Sequence, residues 1–409
     1  ALRNTLTDLK RQKKGVHLII WHLNQTGLYN LGDPSRKRNG LDALIDHLHR
    51  QFGRHQVFRF RHDTLVAVLT PPHEATNASQ DTSPPVSPSD TKDFDTRLVN
   101  KVTEIPDLQV MAPLSLSEVI ALAEDFMEAP TQDTWACVDQ LQAERLLMLH
   151  HILKRLPEIF EDGTLTLHYQ PVINKQTGRF DMAEALLRFE DATVGRLDVG
   201  LVLRLIAREQ LQHRLTQFVI EQACKDLSQE KNRLHSIKRV ALNFAYREIE
   251  DPRFEALIVN TVRQYGLAPS QFGIELTEQE MGRSMEAVEH CIERLRPAGF
   301  YFHLDDFGVG YSNLAFLIRT RFDVVKFDRS LLRSITDSDE HLAFLAKTVA
   351  LFKNKRLDLV IEGVETKQEL DAIAAIPFDY IQGYVYAKPM PLDALMDFIA
   401  SQTTTKREN

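Results

Sequence analysis

The chain has 409 residues, more than one ordinary core accommodates, so two or three domains are expected. It is 43% hydrophobic and 26% charged, with a formal net charge of −8. That balance fits a globular protein and argues against a general nucleic-acid or membrane-surface binder, whose footprint is basic.

The sequence opens at Ala1 in the polar stretch "ALRNTLTDLKRQKKG". It reads as a cut edge, so an upstream sensor or membrane segment is expected before it. Two strand-like runs follow, "VHLIIWHL" and "VFRFRHDTLVAVLT", on either side of a helical pattern at "GLDALIDHLHRQF". From Pro71 to Asp93 the chain is rich in Pro, Ser, Thr and Asp and has too few apolar residues to bury, so a mobile insertion is expected there. "LSLSEVIALAEDFMEA" then predicts a helix, with Val119, Leu122 and Phe126 at helical spacing. These elements predict a small α+β domain over residues 1–135, followed by a linker at 136–145.

From residue 146 short apolar runs alternate with helical patterns. The strand candidates are "LTLHYQPVI", "DMAEALLRF", "RVALNFA", "FGIELTE", "FYFHLDD", "DVVKFD", "LDLVIEG" and "YIQGYVY". Between them lie helices such as "EHLAFLAKTVALFKN", with Leu342, Leu345, Val349 and Phe352 on one face. Alternating strands and helices imply a mostly parallel sheet, and eight strands in about 250 residues is the size of a (β/α)8 TIM-like barrel. The barrel is expected over 146–400, with a flexible tail at 401–409. Cys137, Cys224 and Cys291 have no paired metal-ligand spacing and fit reduced thiols better than a disulfide framework. No apolar run reaches bilayer-spanning length and no leader peptide is visible, so a cytoplasmic location is expected.

Chemistry in such a barrel sits at the C-terminal strand ends. Those ends carry Glu184, Asn243, Glu275, Asp305 with Asp306, Lys326, Glu362 and Gln382. Period-two alternation gives Phe272, Ile274 and Leu276 one face of their strand and Glu275 the other. So many carboxylates at one mouth need more positive charge than one lysine supplies. Hard oxygen ligands select Mg²⁺ or Mn²⁺. Asp305 and Asp306 suit a two-ion site with one bridging carboxylate, the usual apparatus for in-line displacement at phosphorus. Acidic residues can also cap helices, but caps do not account for Asn243, Lys326 and Gln382. The tripeptide Asp306-Phe307-Gly308 occurs in protein kinases, yet neither a Gly-rich loop nor an "HRD" motif accompanies it.

In order along the chain, "YQPV", "EALLR", "LNFA", "ELTE", "DDFGVGYSNL", "KFD", "IEGVET" and "QGY" resemble the EAL family of cyclic di-GMP phosphodiesterases, over about Leu146 to Phe398. The resemblance implies hydrolysis of cyclic di-GMP to linear pGpG. It implies metal-site roles for Glu184, Asn243, Glu275, Asp305, Asp306 and Glu362. Lys326 matches the lysine that positions or deprotonates the attacking water, and Glu278 the glutamate that anchors the loop after Asp306. Gln170, Leu187 and Arg188 match substrate contacts, with Arg188 facing a phosphate, and Gln382 matches a further active-site polar residue. The chain departs from the family at Val309 and in the segment after Arg188, which lacks the usual "P..FI..AE..G.I" pattern.

The first domain resembles a degenerate GGDEF domain. Arg61, His62, Asp63, Thr64 and Leu65 fall where that signature is expected, and His22 and Asn24 where metal-binding aspartates are usual. The resemblance implies an inactive, regulatory domain and a homodimer. Two other readings stand beside the enzyme: a non-catalytic cyclic di-GMP receptor, and a scaffold with both domains inert. Receptors usually lose several metal residues; this sequence keeps them all.

Overall fold

The structure is a computed structural model that describes residues 16–23, 42, 44–50, 52–61, 64–69, 99–105, 114, 118–119, 135–137, 140–233, 236–277, 285–308, 320–335, 339–353, 355 and 357–405. They fall into two compact units, 1–155 and 156–409.

In the first unit, strands β1 (His17–Leu23), β2 (Val57–Arg61), β3 (Thr64–Leu69), β4 (Val99–Ile105) and β5 (Trp135–Cys137) form one sheet of order β2-β3-β1-β4-β5. β1 is central and antiparallel to both neighbours, while β5 runs parallel to β4. Leu18, Ile19 and Ile20 are consecutive and all fully buried, because both faces of β1 are covered. Leu44 and Leu48, from the helical residues 44–50, pack with Ile19, Trp21 and Val102 on one face. On the other face lie Leu18, Ile20 and Val66, with Ala143, Leu147 and Leu153 of helix α1 (Gln140–Arg155). Residues 136–145, expected as a linker, therefore hold the end of β5 and the start of α1; its apolar residues find cover on the sheet. The expected insertion at 71–93 lies outside the described residues, as does most of the expected helix at 114–129.

The second unit is the barrel. β6 (Leu165–Asn174), β7 (Phe180–Asp191), β9 (Arg239–Asn243), β10 (Phe272–Thr277), β11 (Tyr301–Phe307), β12 (Val324–Phe327), β13 (Asp358–Ile361) and β14 (Tyr380–Gln382) close on themselves through the β6–β7 pairing. The two-residue β8 (Gly195–Arg196) only extends β7. All eight expected strands are present. β6 runs antiparallel to β7 and β14, and every other neighbouring pair is parallel. The reason is the short turn between Asn174 and Arg179, which joins β6 to β7 as a hairpin where a crossover helix would be needed for parallel strands.

Each strand sends alternate residues inward. Val172, Met182, Val324, Val360 and Tyr380 pack as one apolar layer inside the barrel. Two residues further toward the mouth on the same strands stand Gln170, Glu184, Lys326, Glu362 and Gln382. The outward residues, such as Phe302, Leu304, Leu359 and Ile361, are fully buried beneath the surrounding helices. Among these are α2 (Val199–Arg208), α3 (Gln212–Gln229), α4 (Phe254–Gln264), α5 (Met285–Leu295) and α6 (Asp339–Lys353). Asp198 caps α2 by accepting from the Leu201 N–H at 2.8 Å. The chain leaves α2 through Gln210 at φ 58, a left-handed conformation that favours glycine. The tail expected from Ser401 is helical as far as Thr405, at the end of α7 (Leu392–Thr405), because Leu395, Met396 and Ile399 bury one face of that helix.

Candidate active site

Lys326, from β12, is 3% exposed and stands at the centre of the mouth. Its Nζ lies 2.5 Å from Glu362 Oε1, 2.6 Å from Glu275 Oε1, 3.0 Å from Glu184 Oε2 and 3.3 Å from Asp305 Oδ1. An ammonium has three protons, so four carboxylates exceed its donors. Glu184 is held from two more sides. It accepts from Asn243 Nδ2 at 2.8 Å and from Gln382 Nε2 at 2.6 Å. Gln382 in turn reaches Gln170 Oε1 at 3.2 Å, and Gln170 donates to the Ala387 carbonyl at 3.4 Å. Gln170 stands directly opposite Glu184 in the β6–β7 register.

The adjacent aspartates face the mouth because β11 is not regular there. Plain alternation would send Asp305 and Asp306 to opposite sides. The β11–β12 register shifts between Leu304 and Phe307, and Asp306 adopts φ 55. This bulge turns Asp306 into a groove of about 850 Å³ that it lines together with Asn243, Leu187, Leu203, Phe244 and Tyr246. A left-handed aspartate costs on the order of 1 kcal/mol, and such strain concentrates at functional sites.

The electrostatics follow from burial and crowding. Burial pushes the Glu275 carboxyl well above its ordinary range, against the pull of Lys326 and with help from Glu184, Asp305 and Glu362. Burial and then Asp305 do the same to Glu362. Glu184 is buried as well, yet Lys326 and the amides of Gln382 and Asn243 outweigh burial and hold its pKa below the usual value. Asp306 is pushed up to about 6 by burial, then by Asp305 and Asp328. For Lys326 burial works against the charge, but the four carboxylates win and hold its pKa well above normal.

These residues fit a divalent cation. Ligand oxygens of Glu184, Glu275 and Asp305 lie within 4.8 Å of one another and all three residues are buried. Glu275 Oε2, Asp305 Oδ1 and Glu362 Oε1 are buried and accept no well-aligned hydrogen bond among the described residues, although Lys326 Nζ lies close to the last two. A cluster of hard oxygens with unmet acceptor capacity is the environment that Mg²⁺ or Mn²⁺ takes.

Of the residues singled out in the sequence, Gln170, Glu184, Asn243, Glu275, Asp305, Lys326, Glu362 and Gln382 come together, with Asp306 and Leu187 in the adjoining groove. Arg188 lies four residues beyond Glu184 on β7, half-buried, with Nη1 on the Leu187 carbonyl at 2.8 Å. Glu278 lies outside the described residues, as do His62, Asp63 and Asn24. Sequence reasoning missed His303, which is 3% exposed with Nδ1 3.4 Å from Glu275 Oε2. It stands one inward position behind Asp305, where the same alternation would have located it.

The EAL domain family matches residues 153–389, more than half of the chain. A cyclic di-GMP phosphodiesterase of Pseudomonas aeruginosa, NbdA, is 31% identical over 246 residues, which cover 60% of this chain and 31% of that protein. The probable cyclic di-GMP phosphodiesterase PdeB of Escherichia coli K12 is 28% identical over 247 residues, covering 60% of this chain and 46% of its own length. This chain thus spans less than half of either relative. Among solved structures, the PaMucR phosphodiesterase in its c-di-GMP complex superposes with a TM-score of 0.56 at 28% identity, over 61% of this chain and 99% of that one. On the matched residues and the barrel that carries them, the chain belongs to the EAL domain family.

Proposed function

We propose that this chain hydrolyses one phosphodiester bond of cyclic di-GMP, giving linear pGpG, at the mouth of its barrel. The observation that carries the reading is the convergence of four carboxylates on Lys326 beside the 850 Å³ groove. The names of NbdA and PdeB and the c-di-GMP bound to PaMucR support the substrate.

Glu184, Asn243, Glu275, Asp305, Asp306 and Glu362 would hold Mg²⁺ or Mn²⁺, as a two-ion site. Such a centre supplies Lewis acidity and charge neutralisation for in-line displacement at phosphorus. The remaining residues orient and exclude. Gln382 and Asn243 fix the Glu184 carboxylate by hydrogen bonds. Arg188 offers a guanidinium to a phosphate, and Gln170 and Leu187 complete the substrate contacts. With no cation bound, the carboxylates keep Lys326 protonated; beside bound cations it is assigned to orienting the attacking water and balancing charge. Glu278 is assigned to anchoring the loop after Asp306.

The first unit is proposed as a degenerate GGDEF-like regulatory domain. Its sheet order and the hairpin between Arg61 and Thr64 support that reading. A homodimer, an upstream sensor and a cytoplasmic location belong to the same proposal. Among the described residues no helix is long and apolar enough to cross a membrane.

Glu184→Ala tests the assignment. It should bind cyclic di-GMP yet lose at least about 100-fold in pGpG formation, since one ligand of a cation centre contributes several kcal/mol to the transition state. Near-normal turnover would reject the site. With the barrel silenced in this way, GTP and Mg²⁺ should give no cyclic di-GMP; its formation would reject the GGDEF-like reading.

A further inference from the structure

Beneath the carboxylates lies a void of about 10 Å³. That is about the smallest space that takes one water molecule. Its lower side is Val172, Met182, Ala183, Ala241, Val324, Val360 and His303. His303 is the one titratable side chain there. An imidazole in an otherwise apolar layer costs free energy unless it is used.

The chain makes room for this ring. Gly273, on the neighbouring strand β10, faces it. A Cβ on Gly273 would lie 2.5 Å from His303 Nε2 and 2.7 Å from its Cε1, so no other residue fits beneath the imidazole as it stands. Glu275, two residues along, stands beside His303 in the β10–β11 register. Glu275 is fully buried and directs Oε1 at Lys326, 2.6 Å away. Its other oxygen, Oε2, has His303 Nδ1 at 3.4 Å and accepts no shorter hydrogen bond among the described residues. Nδ1 is the ring nitrogen that faces a carboxylate oxygen, so it is the one placed to donate. His303 Nε2 has no partner among the described residues, as suits the nitrogen without the proton.

We propose that His303 is a positioning residue: its Nδ1–H is directed at Glu275 Oε2, and this fixes Oε1 toward Lys326 and Asp305, on the side where the cation binds. Gly273 is the other half of the device, because it admits the ring. The role rests on the divalent-cation reading of the site. Groups that orient a ligating carboxylate commonly change metal affinity by about 10- to 100-fold when removed.

The test is Mn²⁺ binding to the full chain by calorimetry, with melting curves to confirm folding. Asn places an amide N–H near the position of Nδ1, whereas Leu fills similar space without a donor. His303→Leu should weaken Mn²⁺ binding by about 10-fold or more, and His303→Asn should stay within about 3-fold of wild type. If His303→Leu does not fold, His303→Ala, which adds no bulk beside Gly273, should show the same loss. Equal Mn²⁺ affinity in wild type and the apolar variants overturns the proposal, and so does an equal loss in His303→Asn and His303→Leu, which would mean packing alone. A wild type that binds no Mn²⁺ overturns the cation reading itself.

Discussion

Lys326→Met removes the one cation that, among the described residues, contacts all four carboxylates of the mouth. The ammonium contacts span 2.5 to 3.3 Å. At an effective dielectric near 20, each such contact carries about 5–7 kcal/mol of gross attraction. Most of that offsets the desolvation of the charges. Deleting one partner of a buried ionic cluster leaves a net loss of about 3–5 kcal/mol. For a domain of this size the corresponding fall in melting temperature is about 6–20 °C. The carboxylates left behind attract a divalent cation more strongly once the ammonium is gone. Mn²⁺ at about 100 times Kd stabilises a folded state by about 2.7 kcal/mol, and the gain should be larger in the variant than in the wild type. Thermal melting in EDTA and in Mn²⁺ reads both quantities. The variant should melt well below wild type in EDTA, recover most of the difference in Mn²⁺, and make no pGpG. Equal melting temperatures in EDTA, or equal Mn²⁺ gains for the two proteins, would refute this reasoning.

Asp306→Asn should raise the melting temperature in EDTA at pH 7.5 and lose that advantage by pH 4. The Asp306 pKa is raised to about 6 in the fold, against about 3.9 unfolded. Ionising it therefore costs stability as pH rises through that window, and Asn tolerates the left-handed backbone; an advantage of equal size at both pH values would contradict the shift. Gln210→Gly should stabilise by about 1 kcal/mol, since φ 58 strains a side-chain-bearing residue, and a lower denaturation midpoint would argue against it. Gly383→Ala should cost about 3 kcal/mol or more, because the new Cβ would lie 1.9 Å from the Val364 carbonyl oxygen. Wild-type urea stability in that variant would mean that the backbone shifts freely there.

The eight barrel strands were legible because each pairs a buried outward face with polar residues at the mouth, and period-two alternation shows in single stretches such as "FGIELTE". The antiparallel β6 was less visible. Its sign was the short Gly-containing link between Asn174 and Arg179, a hairpin signal inside a pattern that otherwise implies crossovers. Helix α1 escaped notice because its cover comes from strands more than thirty residues away in sequence. The carboxylates could be named from the strand ends, but two features could not. One is the β11 bulge, which is set by backbone dihedrals. The other is the groove wall, which α2 and α3 form by folding back over Asn243 and Asp306. His303 lay within reach of the sequence, since Glu275 and Asp305 point inward by the same alternation that points it inward. Its glycine partner Gly273 becomes meaningful only when β10 and β11 stand side by side.

The most direct measurement is a time course of the purified chain with cyclic di-GMP and Mn²⁺, resolved by anion-exchange chromatography, with a parallel sample in EDTA. Steady conversion to pGpG in Mn²⁺, and none in EDTA, is the expected result. Cyclic di-GMP that binds the protein and remains intact in Mn²⁺ would contradict hydrolysis and make the barrel a receptor.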